Sequence, residues 1–229
     1  MSTGTRRHVA VLSVRSREGE RAAAPSPPGI DPEDFRLALL EDTYEVAAGL
    51  ELVTPALVLD PPEQPDAEAV TWPGTPLVRV GRGGAAPGLA GAFAALHALG
   101  SDEAVLLAPD APDLPPLLIG KLFRALGGAP ASACQAAATD GAAGRNAANG
   151  LVALAARLPL PGWLADALAG VDLDTPDALG RLRAAAPRPG LIPQGPGWHR
   201  LRAPADVHLL DPGLEGWENT RALLEGVPR

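Results

Sequence analysis

Residues Ala104–Leu114, AVLLAPDAPDL, narrow the possible folds more than any other stretch. The apolar run from Val105 to Ala108 reads as a short strand buried on both faces, and it stops abruptly in a polar turn holding Asp110, Pro112 and Asp113. A helical pattern follows at once. A strand covered on both faces belongs to a sheet lying between helices. In open α/β sheets, ligands sit outside the carboxyl ends of strands, so Asp110 stands where a carboxylate can hold one. Asp113 has a local reading as N-cap of the next helix, with Pro115 and Pro116 in its first turn.

The rest of the chain repeats this alternation. His8 to Val14, Val53 to Leu59, Leu77 to Val80, Ser132 to Ala137 and Leu151 to Ala155 read as further strands. Asp31-Pro32-Glu33 opens a helix carrying Phe35, Leu39, Val46 and Leu50 on one face. A second helix runs from about Gly88, with Leu89, Ala92, Phe93, Leu96 and Leu99 at helical spacing, and Gly100 ends it. The helix after Asp113 spans about Pro116 to Leu126, and others are expected over Trp163 to Ala169, Pro176 to Ala186 and Leu214 to Leu224. Strands alternating with helices imply a mixed, mostly parallel sheet between two helical layers, an α/β three-layer sandwich. At 229 residues, one domain spanning 1–229 is expected.

Composition removes several functions. A formal charge of −8 leaves no basic surface for nucleic acid. The single Cys134 excludes an intrachain disulfide or a multi-cysteine metal site and fits a reducing compartment. The apolar run near the N-terminus is too short for a signal sequence, and no stretch approaches the roughly 20 apolar residues of a membrane span. A cytoplasmic protein without a membrane partner is the expectation.

Among possible ligand contacts, Asp110 suits a hard cation bridged to a nucleotide's phosphates. Asp140-Gly141, inside the glycine- and alanine-rich stretch Thr139 to Gly150, offers a carboxylate and backbone N–H groups, or simply a turn. Arg82-Gly83 and the loop from Arg15 to Arg21 carry guanidinium groups suited to phosphate. Asp172 to Asp177 reads as a helix start, with Asp174 or Thr175 as N-cap. Walker, GxGxxG and nucleophile-elbow patterns are lacking.

With these residues in order, the chain resembles the bacterial glycosyltransferase-A-like proteins of the nucleotide-diphospho-sugar transferase superfamily. These are related to 2-phospho-lactate and molybdenum-cofactor guanylyltransferases. The resemblance is carried by FRLALLEDTYEVAAGL, by Gly88-Leu89 with Ala92-Phe93, by AVLLAPDAPDLP, by Thr139-Asp140-Gly141 and by Thr175-Pro176-Asp177. It implies transfer of a glycosyl or nucleotidyl group from an activated nucleotide, with Mg²⁺ or Mn²⁺ at Asp110. Asp110 and Asp140 would be catalytic, Arg82, Gly83, Asp113 and Gly141 would contact the nucleotide or nucleotide-sugar, and Arg21, Arg200 and Arg202 would contact its phosphates if no full metal site exists.

Three departures set this chain apart. The first loop has no lysine, and the family's Asp-Gly-Gly-aromatic run becomes Asp140-Gly141-Ala142-Ala143. The family's closing Asp-x-Asp-Thr-Pro motif falls on Arg200-Leu201-Arg202-Ala203-Pro204, so arginines replace both acids. A guanidinium cannot ligate a cation, though it can replace the cation's charge. Either Asp172 or Arg200 is then the neighbour of Asp110. The first implies a two-carboxylate metal site, the second a catalytically idle homologue that binds a nucleotide or a protein. A structural role is the remaining reading, expected if the Asp110 turn is buried beneath side chains.

Overall fold

The first strand already shows the pattern on which the fold is built. In β1 (Arg7–Val14), Val9 and Val11 point to one side of the sheet, Ala10 and Leu12 to the other, and all four are buried. Such a strand needs helices on both faces. The computed structural model describes residues 4–14, 26–81, 88–137 and 150–226. Further strands are β2 (Thr54–Asp60), β3 (Leu77–Arg79), β4 (Glu103–Leu107), β5 (Ala131–Gln135) and β6 (Leu151–Arg157). Among the described residues they form one sheet in the order β3-β2-β1-β4-β6-β5, with β6 antiparallel to both neighbours and the other adjacent strands parallel.

Two apolar layers enclose the sheet. On one side lie α1 (Pro32–Ala48), the short α2 (Pro65–Ala69) and α4 (Pro116–Leu126). On the other lie α3 (Gly88–Ala98), α5 (Gly162–Leu168) and α6 (Ala178–Ala185). Asp31 caps α1 by accepting hydrogen bonds from the N–H groups of Glu33 and Asp34, as the sequence suggests. The single-face reading of α1 is corrected. Leu40, Tyr44 and Ala47 face the sheet, while Phe35 and Leu39 meet Leu201, Leu210 and Trp217 on another side. Val46 and Leu50, expected in the core, are only partly buried. Leu99, also expected inside, is 51 % exposed because α3 has already ended at Ala98.

The second outer contact of α1 explains α7 (Glu218–Glu225), which starts later than the apolar spacing suggests. Its N-terminal N–H groups are capped from another helix. Asp42 of α1, fully buried, accepts hydrogen bonds from the backbone N–H groups of Asn219 and Thr220 at 3.0 and 2.8 Å, and from the Asn219 side chain at 3.0 Å. Burial raises the Asp42 pKa, while these hydrogen bonds draw it back down.

Order in the sheet positions the site. The chain proceeds outward from β1 to β2 and β3, then crosses back to place β4 on the other side of β1. This reversal opens a crevice at the carboxyl ends of β1 and β4. Asp110 is three residues beyond the end of β4. No helix among the described residues is long and apolar enough to cross a membrane.

Replacing Asp42 by Ala removes the distant cap, and we expect a loss of about 2–3 kcal/mol in urea unfolding. Faster amide exchange should appear in α7, and a loss below about 0.5 kcal/mol would contradict the cap's role. A second expectation concerns His8, whose Nδ1 is buried without a hydrogen-bond partner. Burial, then the Arg6 charge, lowers its pKa. The native state therefore binds fewer protons than the unfolded chain. Its contribution is complete above the ordinary histidine value of about 6.5 and is lost as pH falls through the lower native value. Urea titrations of the wild type and His8→Leu below pH 7 should show a shallower acid slope in the variant.

Candidate functional site at the end of β4

Three contacts fix the turn that follows β4. Ala108 N–H donates to the Val152 carbonyl at 2.8 Å, and the Thr43 hydroxyl of α1 donates to the Pro109 carbonyl at 3.1 Å. Leu201 N–H donates to the Asp110 carbonyl at 2.8 Å, so a segment distant in sequence lies directly on the turn. That segment arrives along β5. Residues 192–198 follow the outer edge of β5 through parallel bridges at Ala133–Gln194 and Ala136–Trp198, covering the edge and leading toward its carboxyl end. There the chain crosses above the start of β6 to Asp110.

Arg200 occupies the crossing. Its Nε and Nη2 donate to the two oxygens of Asp110 at 2.5 and 2.9 Å, a fork-to-fork pair. Its Nη1 donates to the carbonyls of Leu151 and Leu173 at 3.0 and 3.2 Å. Asp174 Oδ1 lies 2.9 Å from Nη2, so all three guanidinium nitrogens are engaged. The same Asp174 oxygen is 2.9 Å from Arg202 Nη1. Arg200 and Asp110 side chains are 4 % and 11 % exposed, whereas Arg202 and Asp174 are 38 % and 46 % exposed and form the solvent side of the cluster.

Burial works against the Arg200 charge, but the pairs with Asp110 and Asp174 outweigh it and hold the guanidinium pKa above the ordinary arginine value. Close backbone approach makes the carbonyl contacts possible. Leu151 N–H donates to Leu173 O at 2.7 Å, and a Cβ on Gly150 would stand only 2.1 Å from that oxygen. Glycine at 150 therefore lets the Leu173 strand-end contact close over Arg200.

This arrangement answers the choice between Asp172 and Arg200. Arg200 is the neighbour of Asp110, and Asp174 approaches the same guanidinium from the other side. Asp172 instead accepts from the Asp174 N–H and the Thr175 hydroxyl. The expected cap at Asp174 or Thr175 is corrected: Asp177 occupies the N-cap position of α6 in a left-handed conformation, φ +52°, without a side-chain cap bond. Asp174 reads first as a cap because the Thr-Pro-Asp run looks like a complete local helix start, yet its carboxylate meets Arg200.

Asp113 does not cap α4 either. Pro115 holds that N-cap position without a side-chain bond. The fully buried Asp113 carboxylate accepts a hydrogen bond from Trp198 Nε1 at 3.0 Å, and the stacked neighbour His199 brings Nε2 to 2.9 Å without hydrogen-bond alignment. Asp113 thus fastens the covering segment beside Arg200. Arg21, Arg82, Gly83, Asp140 and Gly141 lie outside the described residues. Cys134 is chemically quiet, since burial pushes its thiol up to about 12.

A divalent cation at Asp110 does not fit these residues. Both carboxylate oxygens accept from Arg200, and the charge between Asp110 and Asp174 is already that of a guanidinium. Among the described residues no group of three or more Asp, Glu, His or Cys side chains is placed to hold a metal.

No family model matches the sequence, and no curated protein matches it. Solved structures do. A candidate nucleotide-diphospho-sugar transferase from Desulfovibrio desulfuricans G20 superposes with a TM-score of 0.64 at 15 % identity, covering 96 % of this chain and 97 % of that one. The 4-diphosphocytidyl-2C-methyl-D-erythritol synthase of Anaerococcus prevotii DSM 20548 gives 0.57 at 14 % identity, with 97 % of each chain covered. CMP:2-keto-3-deoxy-manno-octonic acid synthetase in complex with CTP gives 0.55 at 14 %, covering 97 % of this chain and all of that one. The fold is that of the nucleotide-diphospho-sugar transferases. At these identities the likeness is one of fold.

Truncating Arg200 to Ala leaves the Asp110 charge buried and unpaired, and we expect a loss of about 3–5 kcal/mol in urea unfolding. Replacing both partners, Asp110→Leu with Arg200→Met, should recover most of that loss. A double variant no more stable than Arg200→Ala would show that the pair is not the source of the effect.

Proposed function

We propose that this chain binds a nucleotide or nucleotide-sugar at the carboxyl edge of its sheet without a divalent cation, as a diverged relative of the nucleotide-dependent transferases. It acts as a binding module rather than a metal-assisted enzyme. The observation that carries this reading is the buried, bidentate Arg200–Asp110 pair with Asp174 closing its other side. The ligand class rests on the fold, which is shared with a synthetase bound to CTP.

In this reading Asp110 orients Arg200 and holds no cation. Arg202, more than a third exposed and paired with the half-exposed Asp174, is the described cation that can exchange its carboxylate partner for a phosphate. The chain leaves β1, β3 and β5 at the same edge, and the stretches that follow carry Arg21, Arg82 with Gly83, and Asp140 with Gly141. We assign the arginines and glycines there to phosphate contacts and Asp140 to the ligand's polar groups, within one domain spanning 1–229. A metal-dependent glycosyl or nucleotidyl transferase is the second reading, favoured by the position of Asp110 past β4. It requires Arg200 to leave two carboxylates behind.

Thermal unfolding of the full chain with CTP, GTP and a panel of nucleotide-sugars separates these readings, each ligand tested with EDTA, Mg²⁺ or Mn²⁺. Ligand at about 100 times its Kd adds roughly 2.7 kcal/mol, on the order of 5–10 °C for a chain this size. We expect a rise that is the same in EDTA and in metal, and that is reduced in Arg202→Ala. A rise that requires metal and disappears in Asp110→Asn would establish the transferase reading instead. No rise with any nucleotide would remove nucleotide binding altogether.

A further inference from the structure

The opposite edge of the sheet carries a different feature. Between the loop joining α1 to β2 and the outer side of α4 runs a groove of about 340 Å³, floored by Ile119 and Phe123. One wall presents Glu51 and Leu52, the other Gly120 and Arg124. We propose that this groove is the contact surface of a two-fold dimer of the chain.

Leu52 is the first reason. It is 88 % exposed and stands at φ +62°, a left-handed conformation that costs a leucine on the order of 1–2 kcal/mol. The strain displays an apolar side chain to water, and no described residue covers it. Gly120 is the second. A Cβ built there would meet no atom within 4 Å, so the helix backbone lies open to solvent at this point, with Leu117, 64 % exposed, one turn earlier on the same side. An exposed apolar side chain and an uncovered stretch of helix therefore line one groove.

Charge decides the occupant. Glu51 is on the loop wall and Arg124 on the helix wall, and among the described residues neither belongs to an ion pair, whereas Arg7, which also lines the groove, is held by Glu103 at 2.9 Å. A two-fold rotation exchanges the walls, so that each apposition occurs twice. It sets Leu52 over the partner's Gly120 and Glu51 against the partner's Arg124. Small-molecule sites enclose most of their ligand, whereas the Leu52 rim stands in solvent. A contact of this extent belongs to the weak, concentration-dependent class of interfaces. It leaves the carboxyl edge, where Arg202 and Asp174 meet solvent, outside the contact.

Sedimentation equilibrium of the full chain from low micromolar to near-millimolar concentration tests the dimer. The mass should climb from 23.3 kDa toward twice that value. Leu52→Gly should weaken association at least tenfold while keeping or raising the melting temperature of the dilute protein, because glycine adopts positive φ freely. Glu51→Arg and Arg124→Glu should each weaken it about tenfold or more, and the double exchange should restore it. Constant monomer mass overturns the proposal and leaves the groove to another occupant. So does a dimer indifferent to Leu52→Gly, or a charge exchange that fails to restore association.

Discussion

A guanidinium held between two carboxylates, with carbonyl oxygens filling its remaining side, is the contact on which the upper edge of this molecule depends. Removing Asp110 and Arg200 from water is costly, and the pair persists because both Asp110 oxygens and all three Arg200 nitrogens have partners. The surrounding features then have a common purpose. Gly150 permits the close approach of Leu173, Thr43 holds Pro109, and Asp113 fixes Trp198, so the covering segment delivers Arg200 in one position. Two acids and two arginines, Asp110, Asp174, Arg200 and Arg202, leave the cluster neutral overall.

Much of the fold was legible because its signals are local. The helix Pro116–Leu126 and the strand starting at Leu151 lie where the apolar spacing puts them, and Asp31 caps α1 as its neighbours suggest. The errors over caps share one cause, which is a distant partner. Asp113 and Asp174 both precede helices and look like caps, yet their carboxylates meet Trp198 and Arg200, 85 and 26 positions away in the chain. Asp42 shows the converse, a helix capped by a residue that no local pattern links to it. The antiparallel insertion of β6 was equally invisible, since a strand buried on both faces has the same composition in either direction.

At the strand end, the sequence left either Asp172 or Arg200 as the neighbour of Asp110, and the structure places Arg200 there. What spacing does not contain is the second role of Asp174, because ion pairing depends on how residues 170–175 return over β6. Fold likeness carries the ligand class no further than a hypothesis, while the chemistry of the strand end is set by the side chains present.

Order of synthesis gives the Asp42 cap another meaning. Asp42, Asp110 and Asp113 are all made long before Trp198, Arg200 and the first turn of α7, which complete them. A growing chain can build the sheet and both helical layers, yet it holds three carboxylates without their final donors. Arrival of residues 198–220 supplies all of those donors within a short span. Closure of the site and completion of the fold are therefore one late event, and a ribosome-bound chain stopped before it holds these carboxylates without their donors.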